Sequence, residues 1–447
     1  MNLMIVESPT KAKKIKTMVP SNWIVEASSG HIRDLPEKEI GVEPPEFKPQ
    51  YVPNSKSSKR IAHLKKLAKQ AQYVLLATDL DREGEAIAWH LSQALKLQNP
   101  DRIVFNEVTP SAIQEAMRNP RKIDMPMVAA QETRRVIDRI VGYLVSPAIS
   151  RMSPTGEFLS AGRVQSVALR IVVDRENEIK NFVPIDHFKI KAIFNDQGRW
   201  HAYWDHAPVL AQQGKETDYW LDRNSAEQFV NALKGHPIFQ VHNVEVKKSN
   251  RNAPPPFTTS AMQQAASVSL DMSPEKSMQV AQSLFDNGHI TYLRTDSPNL
   301  SDDAINELRQ FIHELATTRK IPGLLPDKPN KWKSKGDAQE AHEAIRPTKI
   351  RINAPEGLEG DELALYQLIW QRTLACQMSA ATYEKTTVSL LSAAKFMGHH
   401  QRFVAQGKRL IYAGWQMLTQ KDFSEEIDPD AKPAPDEQTL PALSNGQ

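Results

Sequence analysis

Tyr73-Val74-Leu75-Leu76-Ala77-Thr78 is an unbroken apolar run, and it delivers Asp79-Leu80-Asp81-Arg82-Glu83-Gly84-Glu85 directly onto a helical stretch, Ala86 to Leu95. A short apolar run bounded by polar turn residues reads as a buried strand. Leu3 to Val6 repeats the pattern, followed by Ser8 as a helix cap and Pro9 as the first helical residue. These strand-to-helix switches require an α/β N-terminal region. In an open α/β sheet, ligands bind at the carboxyl ends of the strands, so Glu7 and Lys11 at one switch and Asp79, Asp81 and Glu83 at the other are candidate site residues. Three carboxylates spaced as D-x-D-x-E can converge on a hard divalent cation such as Mg²⁺, which takes oxygen ligands. Acidic residues at a helix start also complement the helix dipole, with no metal involved.

A second stretch, Ile290 to Ser297, sets a phenol, a guanidinium and a carboxylate at every second position: Tyr292, Arg294 and Asp296. In an extended chain all three side chains leave one face. A cation two residues from a tyrosine favours phenolate, holds a phosphate and so equips the tyrosine for covalent attack on a phosphodiester. An amphipathic strand tyrosine beside a solvated arginine has the same spelling.

At 447 residues the chain is long enough for three or four domains. Its net charge of +3 is small, but residues 424–447 carry −5, so residues 1–423 carry +8. The single cysteine, Cys376, excludes a disulfide framework and a multi-cysteine zinc site within this chain and is expected to pack in a core. No apolar run reaches membrane-spanning length, and Glu7 interrupts the start before a secretory segment forms. The expectation is a soluble, cytoplasmic protein.

Strands are expected at Ile24–Ala27, in a β-rich stretch over 186–246, and at Thr386–Ala393 and Phe403–Tyr412. Helices are expected at Lys59–Gln70, Pro110–Arg118, Pro126–Leu144, Arg163–Phe182, Ser225–Lys234, Thr258–Asp286, Ser301–Thr317 and Glu362–Met378. Ser146 to Gly162 marks a boundary, and Asn250 to Phe257, with three consecutive prolines, reads as a linker. Arg135, Asp138 and Arg139 are neighbours on one helix, either a phosphate track or a salt-bridged face. His342-Glu343 is not a zinc-protease helix, because Arg346 stands where the second histidine belongs.

Six segments, in order, resemble the type IA DNA topoisomerases and most closely their bacterial topoisomerase I branch: Ile5 to Pro9, Ser29 to Leu35, Ala77 to Leu91, Leu159 to Ser166, Ile290 to Ser297 and Gln339 to Pro347. The resemblance implies a multidomain α/β, β-rich and α fold with a Toprim N-terminal domain and a toroid-like core. It divides the chain into a Toprim domain at 1–145, the first part of a DNA-binding helical domain at 146–185, a β-rich arch at 186–250 and 351–447 with an acidic Pro-rich tail, and a helical domain at 251–350. By the same resemblance Tyr292 is the nucleophile that forms a 5′-phosphotyrosine, Arg294 orients the phosphate, Glu7 transfers a proton, Lys11 stabilises the phosphate, and His342 lies near it. Glu7, Asp79, Asp81 and Glu83 are implied Mg²⁺ ligands; His31, Arg135, Arg139, Arg151, Ser160, Gly162, Arg163, Gln165 and Arg294 are implied DNA contacts.

The implied activity is ATP-independent: one strand of single-stranded or negatively supercoiled DNA is cleaved through Tyr292, a strand is passed, and the break is resealed, relaxing supercoils. The absence of a Gly-x-x-x-x-Gly-Lys-Ser/Thr loop agrees with this. A monomer is expected, with hinges near 248–257 and 347–357. Family members continue beyond the arch into a segment with a Gly-Arg-Pro-Ser-Thr-Tyr-like motif, which this sequence lacks, so the fold is expected to be incomplete at its C-terminus. Two alternatives remain at this stage: a catalytically incomplete DNA-binding relative, and a Toprim protein of another class, a nuclease or primase.

Overall fold

The computed structural model describes residues 1–54, 57–195, 198–215, 217–333, 343–418 and 438–447. His342 therefore lies outside the described residues, as do 419–437 of the acidic tail. Two compact units are each assembled from three stretches of chain. The first contains Met1–Lys180, Pro255–Phe311 and Lys331–Leu374; the second contains Asn181–Pro254, Ile312–Asn330 and Ala375–Gln447.

The first unit begins with β1 (Asn2–Val6), α1 (Pro9–Lys16) and β2 (Trp23–Ala27). Two-residue strands β3 to β6 (Arg33–Asp34, Val42–Glu43, Lys48–Pro49, Val52–Pro53) pair as β3 with β6 and β4 with β5, followed by α2 (Ser58–Gln70), β7 (Tyr73–Leu76), α3 (Arg82–Leu95) and β8 (Asp101–Arg102). Strands β2-β1-β7-β8 form one parallel sheet in that order. Leu3, Ile5 and Leu76 pack against Ile61 and Leu64 of α2 and Ile87, Leu91 and Leu95 of α3. Ile5 pairs with Leu76, so the two strands release the chain side by side, and Glu7 and Asp79 emerge as neighbours.

Then come α4 (Pro110–Arg118), α5 (Met125–Ile140), a π-helical turn over Val141–Val145, α6 (Ser146–Arg151) and α7 (Arg163–Asn181). Two expectations change here. The helix expected to reach Leu144 loosens into the π turn, and helix α6 starts inside the expected boundary segment, with Pro147 tolerated in its first turn. No residue of α7 is buried.

The second unit carries β9 (Lys191–Phe194), β10 (Trp200–Trp204), α8 (Ala207–Gln212), α9 (Arg223–Gly235) and β11 (Phe239–Arg251). The expected linker from Asn250 is still strand at its start, since Asn250 and Arg251 pair with Thr382 and Ala381. Chain order then gives α10 (Thr259–Leu270), α11 (Pro274–Asp286), α12 (Asp302–Thr318), α13 (Gly360–Cys376), β12 (Ala381–Phe396) and β13 (His399–Tyr412). The single helix expected over Thr258–Asp286 is two: Asp271 turns left-handed at φ +54°, and Ser273 caps a new helix with Pro274 in its first turn.

Five strands form an antiparallel sheet in the order β11-β12-β13-β10-β9. One of its faces buries Trp200, Trp204, Trp220, Phe229, Phe396 and Phe403. Cys376 is a buried free thiol, as expected.

Candidate active site

Tyr292 arrives in irregular chain just after α11. Gly288 makes the turn at φ +74°, and a Cβ there would lie 2.4 Å from the Val108 carbonyl oxygen, so glycine is required on two counts. The Tyr292 amide donates to the Asn106 carbonyl at 2.7 Å, and Thr291 is tied to Ala344 and Arg346. The phenol is thereby placed over the carboxyl ends of the parallel strands. Its hydroxyl donates to Asp81 Oδ2 at 2.7 Å, and Arg294 Nη1 donates to the same oxygen at 2.8 Å. Tyr292 is buried, with 3% of its surface exposed.

Asp81 has a third task, because its Oδ1 caps α3 by accepting from the Gly84 amide at 2.8 Å. Burial alone would raise the Asp81 pKa, but the bonds from Gly84, Tyr292 and Arg294 outweigh it and hold the value below the usual carboxylate range. Arg294 acts on the tyrosine in the expected direction, lowering its pKa, but it is outweighed. Burial, then the charges of Asp81 and Asp79, push the phenol well above its ordinary pKa, and Arg294 offsets only part of this because its guanidinium is bonded to the carboxylate.

Lys11 is 1% exposed; it forms a close ion pair with Asp79, lies 3.4 Å from Asp286 Oδ1 and sits 4.8 Å above the Phe285 ring. Burial opposes its charge, but Asp79, Glu7 and Asp286 together raise its pKa. Glu7 accepts from the Asp79 amide at 2.8 Å; burial, then the Asp79 charge, push its carboxyl pKa up to about 8. Ser8 donates to Asp286 Oδ2 at 2.7 Å.

The structure does not bring the expected carboxylates onto one point: among the described residues no group of three or more His, Cys, Asp or Glu side chains is arranged to hold a metal ion. The reason is that each has a protein donor. Asp79 faces Lys11, Asp81 holds Tyr292 and Arg294, and Glu83 pairs with His31 at 3.5 Å and accepts from Gln131 at 3.1 Å. By chemistry, Glu7, Asp79, Asp81 and Glu83 offer the carboxylate oxygens that a hard oxygen-seeking cation takes once their present donors are displaced.

The expected DNA contacts divide similarly. Arg135 is bidentate to Asp34 at 2.9 and 2.7 Å, Arg163 pairs with Asp138, and Arg139 donates to the Pro36 carbonyl at 2.9 Å. Of the helix-face arginines, Arg135 is thus salt-bridged to another segment, and Arg139 is bonded to backbone carbonyls. Arg151 donates to Pro147, Gln165 to Ser160, and the Gly162 amide to Ser166. His31 lines a cavity of about 330 Å³ with Arg33, Tyr51, His90, Arg134 and Arg135.

Sequence reasoning missed the buried support beneath the site. Arg102, 0% exposed, donates to Glu85 Oε2 at 2.9 Å, to the Asp79 carbonyl at 2.6 Å and to Thr78. Gly84 lies so close that a Cβ would stand 2.1 Å from the Asp79 carbonyl oxygen. Arg346 similarly joins Glu343 at 2.7 Å and Glu107 at 3.0 Å. A basic residue ending the two-residue strand β8 is the one available signal for Arg102, and it is weak.

Comparisons with known proteins agree on one family. Residues 2–108 match the Toprim domain and residues 122–447 match the DNA topoisomerase family. The chain is 45% identical over 435 residues to the plasmid DNA topoisomerase I of Xylella fastidiosa, covering 97% of this chain and 64% of that protein. It is 42% identical over 449 residues to DNA topoisomerase 1 of Campylobacter jejuni, covering 96% and 61%. Among solved structures, full-length topoisomerase I from Thermotoga maritima superposes with a TM-score of 0.79 at 34% identity, over all of this chain and 70% of that one. The chain therefore spans less than two thirds of these two curated relatives.

Proposed function

Because the chain belongs to the bacterial type IA DNA topoisomerase I family, with a Toprim domain followed by the family's core, we propose that it cleaves one DNA strand through Tyr292, passes a strand and reseals the break without ATP, relaxing negative supercoils. The observation that carries this reading is the hydrogen bond from the Tyr292 hydroxyl to Asp81, which joins a phenol to a carboxylate 211 residues away in the chain. The same carboxylate also accepts from Arg294, which puts the phenol, a cation and an acid at one point.

The Tyr292 oxygen attacks phosphorus, the bond from phosphorus to the 3′-oxygen breaks, and the adduct keeps the phosphodiester energy for resealing. The phenolic proton has an acceptor in Asp81. Burial and the Asp79 charge raise the Glu7 pKa, which suits Glu7 to supply a proton to the departing 3′-oxygen. Lys11 and Arg294 offset charge on the transferring phosphate, and His342 is assigned to the same phosphate. Glu7, Asp79, Asp81 and Glu83 would hold Mg²⁺; when bound, the ion neutralises phosphate charge. His31, Arg135, Arg139, Arg151, Ser160, Gly162, Arg163 and Gln165 contact the DNA. Strand passage requires Tyr292 and Arg294 to leave Asp81, and Asp286 to leave Ser8 and Lys11.

The test is a denaturing gel of the chain with Mg²⁺ and a 3′-labelled single-stranded oligonucleotide, beside Tyr292→Phe. A labelled adduct that depends on Tyr292 is expected. Free cleavage products made equally by both proteins would instead identify a Toprim nuclease, and binding without adduct would sink the enzymatic reading.

A further inference from the structure

Helix α2 (Ser58–Gln70) carries Lys59, Arg60, Lys65, Lys66 and Lys69 and no Asp or Glu, a charge of +5 against +8 for residues 1–423 as a whole. Its apolar side is committed: Ile61 and Leu64 are buried, and Leu67 and Ala68 pack against the same core. Arg60 pairs with Glu26 and donates to the Ala27 carbonyl, and His63 reaches the other Glu26 oxygen at 3.5 Å. Lys59, Lys65, Lys66 and Lys69 all stand exposed, and among the described residues none of them pairs with an acid.

The helix itself gains nothing from this arrangement. Lys65 and Lys69 are four residues apart and Lys66 and Lys69 three apart, so like charges occupy neighbouring positions and repel. Lys69 in the last turn complements the helix dipole, but Lys59 in the first turn opposes it. The equally exposed α7 avoids such repulsion by interleaving acids, in the pairs Arg170–Asp174, Arg175–Glu178 and Lys180–Glu176. At 1.5 Å per residue, Lys59 to Lys69 covers about 15 Å of axis, over which B-DNA presents a phosphate charge about every 1.7 Å. The other exposed side chains of α2 are Ser58, Ala62, His63 and Gln70, so no Phe, Tyr or Trp is there to stack on an unpaired base. A face of this kind fits the outside of a duplex. It starts beside Ala27, at the carboxyl end of β2, and runs to the opposite end of the sheet, where β7 begins at Tyr73. The lysines therefore lead away from the strand ends that carry Glu7 and Asp79.

We propose that the exposed face of α2 is a binding surface for duplex DNA, separate from the Tyr292 centre, with Lys59, Lys65, Lys66 and Lys69 holding phosphates of the backbone. The one-sided composition is then accounted for, because the bound polyanion supplies the negative charge that the helix lacks. The proposal rests on the reading that this chain acts on DNA, but not on strand cleavage.

The experiment measures fluorescence anisotropy of a labelled blunt DNA duplex with the full chain carrying Tyr292→Phe, in EDTA, across a KCl series. Lys59→Gln with Lys66→Gln should flatten the slope of log K against log salt by about 1.8, two contacts at roughly 0.9 each, while Lys59→Arg with Lys66→Arg keeps it. Arg223→Gln with Lys234→Gln removes the same charge from α9 and should leave the slope unchanged. The α2 glutamine pair should melt no lower than its parent, since Lys59 opposes the helix dipole and Lys66 repels Lys69. Labelled oligo(dT) should keep its slope through the α2 substitution. Equal flattening by the α2 and α9 pairs, no flattening by the α2 pair, equal flattening on oligo(dT), or a parent that binds no duplex at low salt overturns the proposal. The covalent-adduct gel, run with Tyr292 intact, reports separately whether the strand-cleavage reading stands.

Discussion

His90 shows how a single side chain near the site sets pH behaviour. It packs 4.5 Å from Tyr51 and 4.7 Å from Trp89, and its Nδ1 is buried without a hydrogen-bond partner among the described residues. Burial, then the charges of Arg33 and His31, push its pKa down to about 3. The folded protein therefore refuses a proton that the unfolded chain accepts below about 6.5. Stability from this residue is whole above that pH and is lost as pH falls toward 3, at up to about 1.4 kcal/mol per unit. Urea unfolding at pH 7.5 and 5.5 should show His90→Phe losing about 1 kcal/mol less than the parent. Arg102 is the larger effect: Arg102→Ala strips buried Glu85 of one of its two arginines, Arg121 at 2.6 Å being the other, and leaves the Thr78 and Asp79 carbonyls without this donor, which should cost about 1–3 kcal/mol in the same measurement. Tyr292, Arg294 and the D-x-D-x-E carboxylates were legible because their chemistry is spelled out by local spacing. That Asp81 caps a helix while holding both Tyr292 and Arg294 was not, since those partners come from residues 211 and 213 positions away.

Among the elements, α11 carries the chain to Tyr292 and begins at a cap that sequence rules recognise. Ser273 accepts from the Lys276 amide at 3.1 Å, and Pro274 follows it. Ser273→Ala should lower stability by about 1 kcal/mol, read as a shifted urea midpoint. The helical pattern running from Thr258 to Asp286 spans that cap, which hides the break at Asp271. The strands were legible in kind and short in extent: β12 was expected over Thr386–Ala393 and runs Ala381–Phe396. Its first residues, 381–385, are mostly half-buried and show no alternation of burial to read. β3 to β6 were missed altogether, because two-residue pairings carry no period.

At the scale of the whole molecule, the assignment of Glu7, Asp79, Asp81 and Glu83 to Mg²⁺ predicts coupling between cation binding and stability. Mg²⁺ should raise the thermal midpoint of the full chain, by the equivalent of about 2.7 kcal/mol at a hundredfold excess over its Kd, and EDTA should reverse the rise. Asp79→Asn with Asp81→Asn should abolish the response; a rise that survives this change would move the cation elsewhere. No helix among the described residues is long and apolar enough to cross a membrane. The three-stretch assembly of each unit also governs how the protein breaks. A protease that nicks the exposed chain after Lys180 separates Met1–Lys180 from Pro255–Phe311 and Lys331–Leu374, which belong to the same compact unit. The fragments stay associated through that unit's own packing and part only in detergent, so a sample can be cleaved and still elute as though intact.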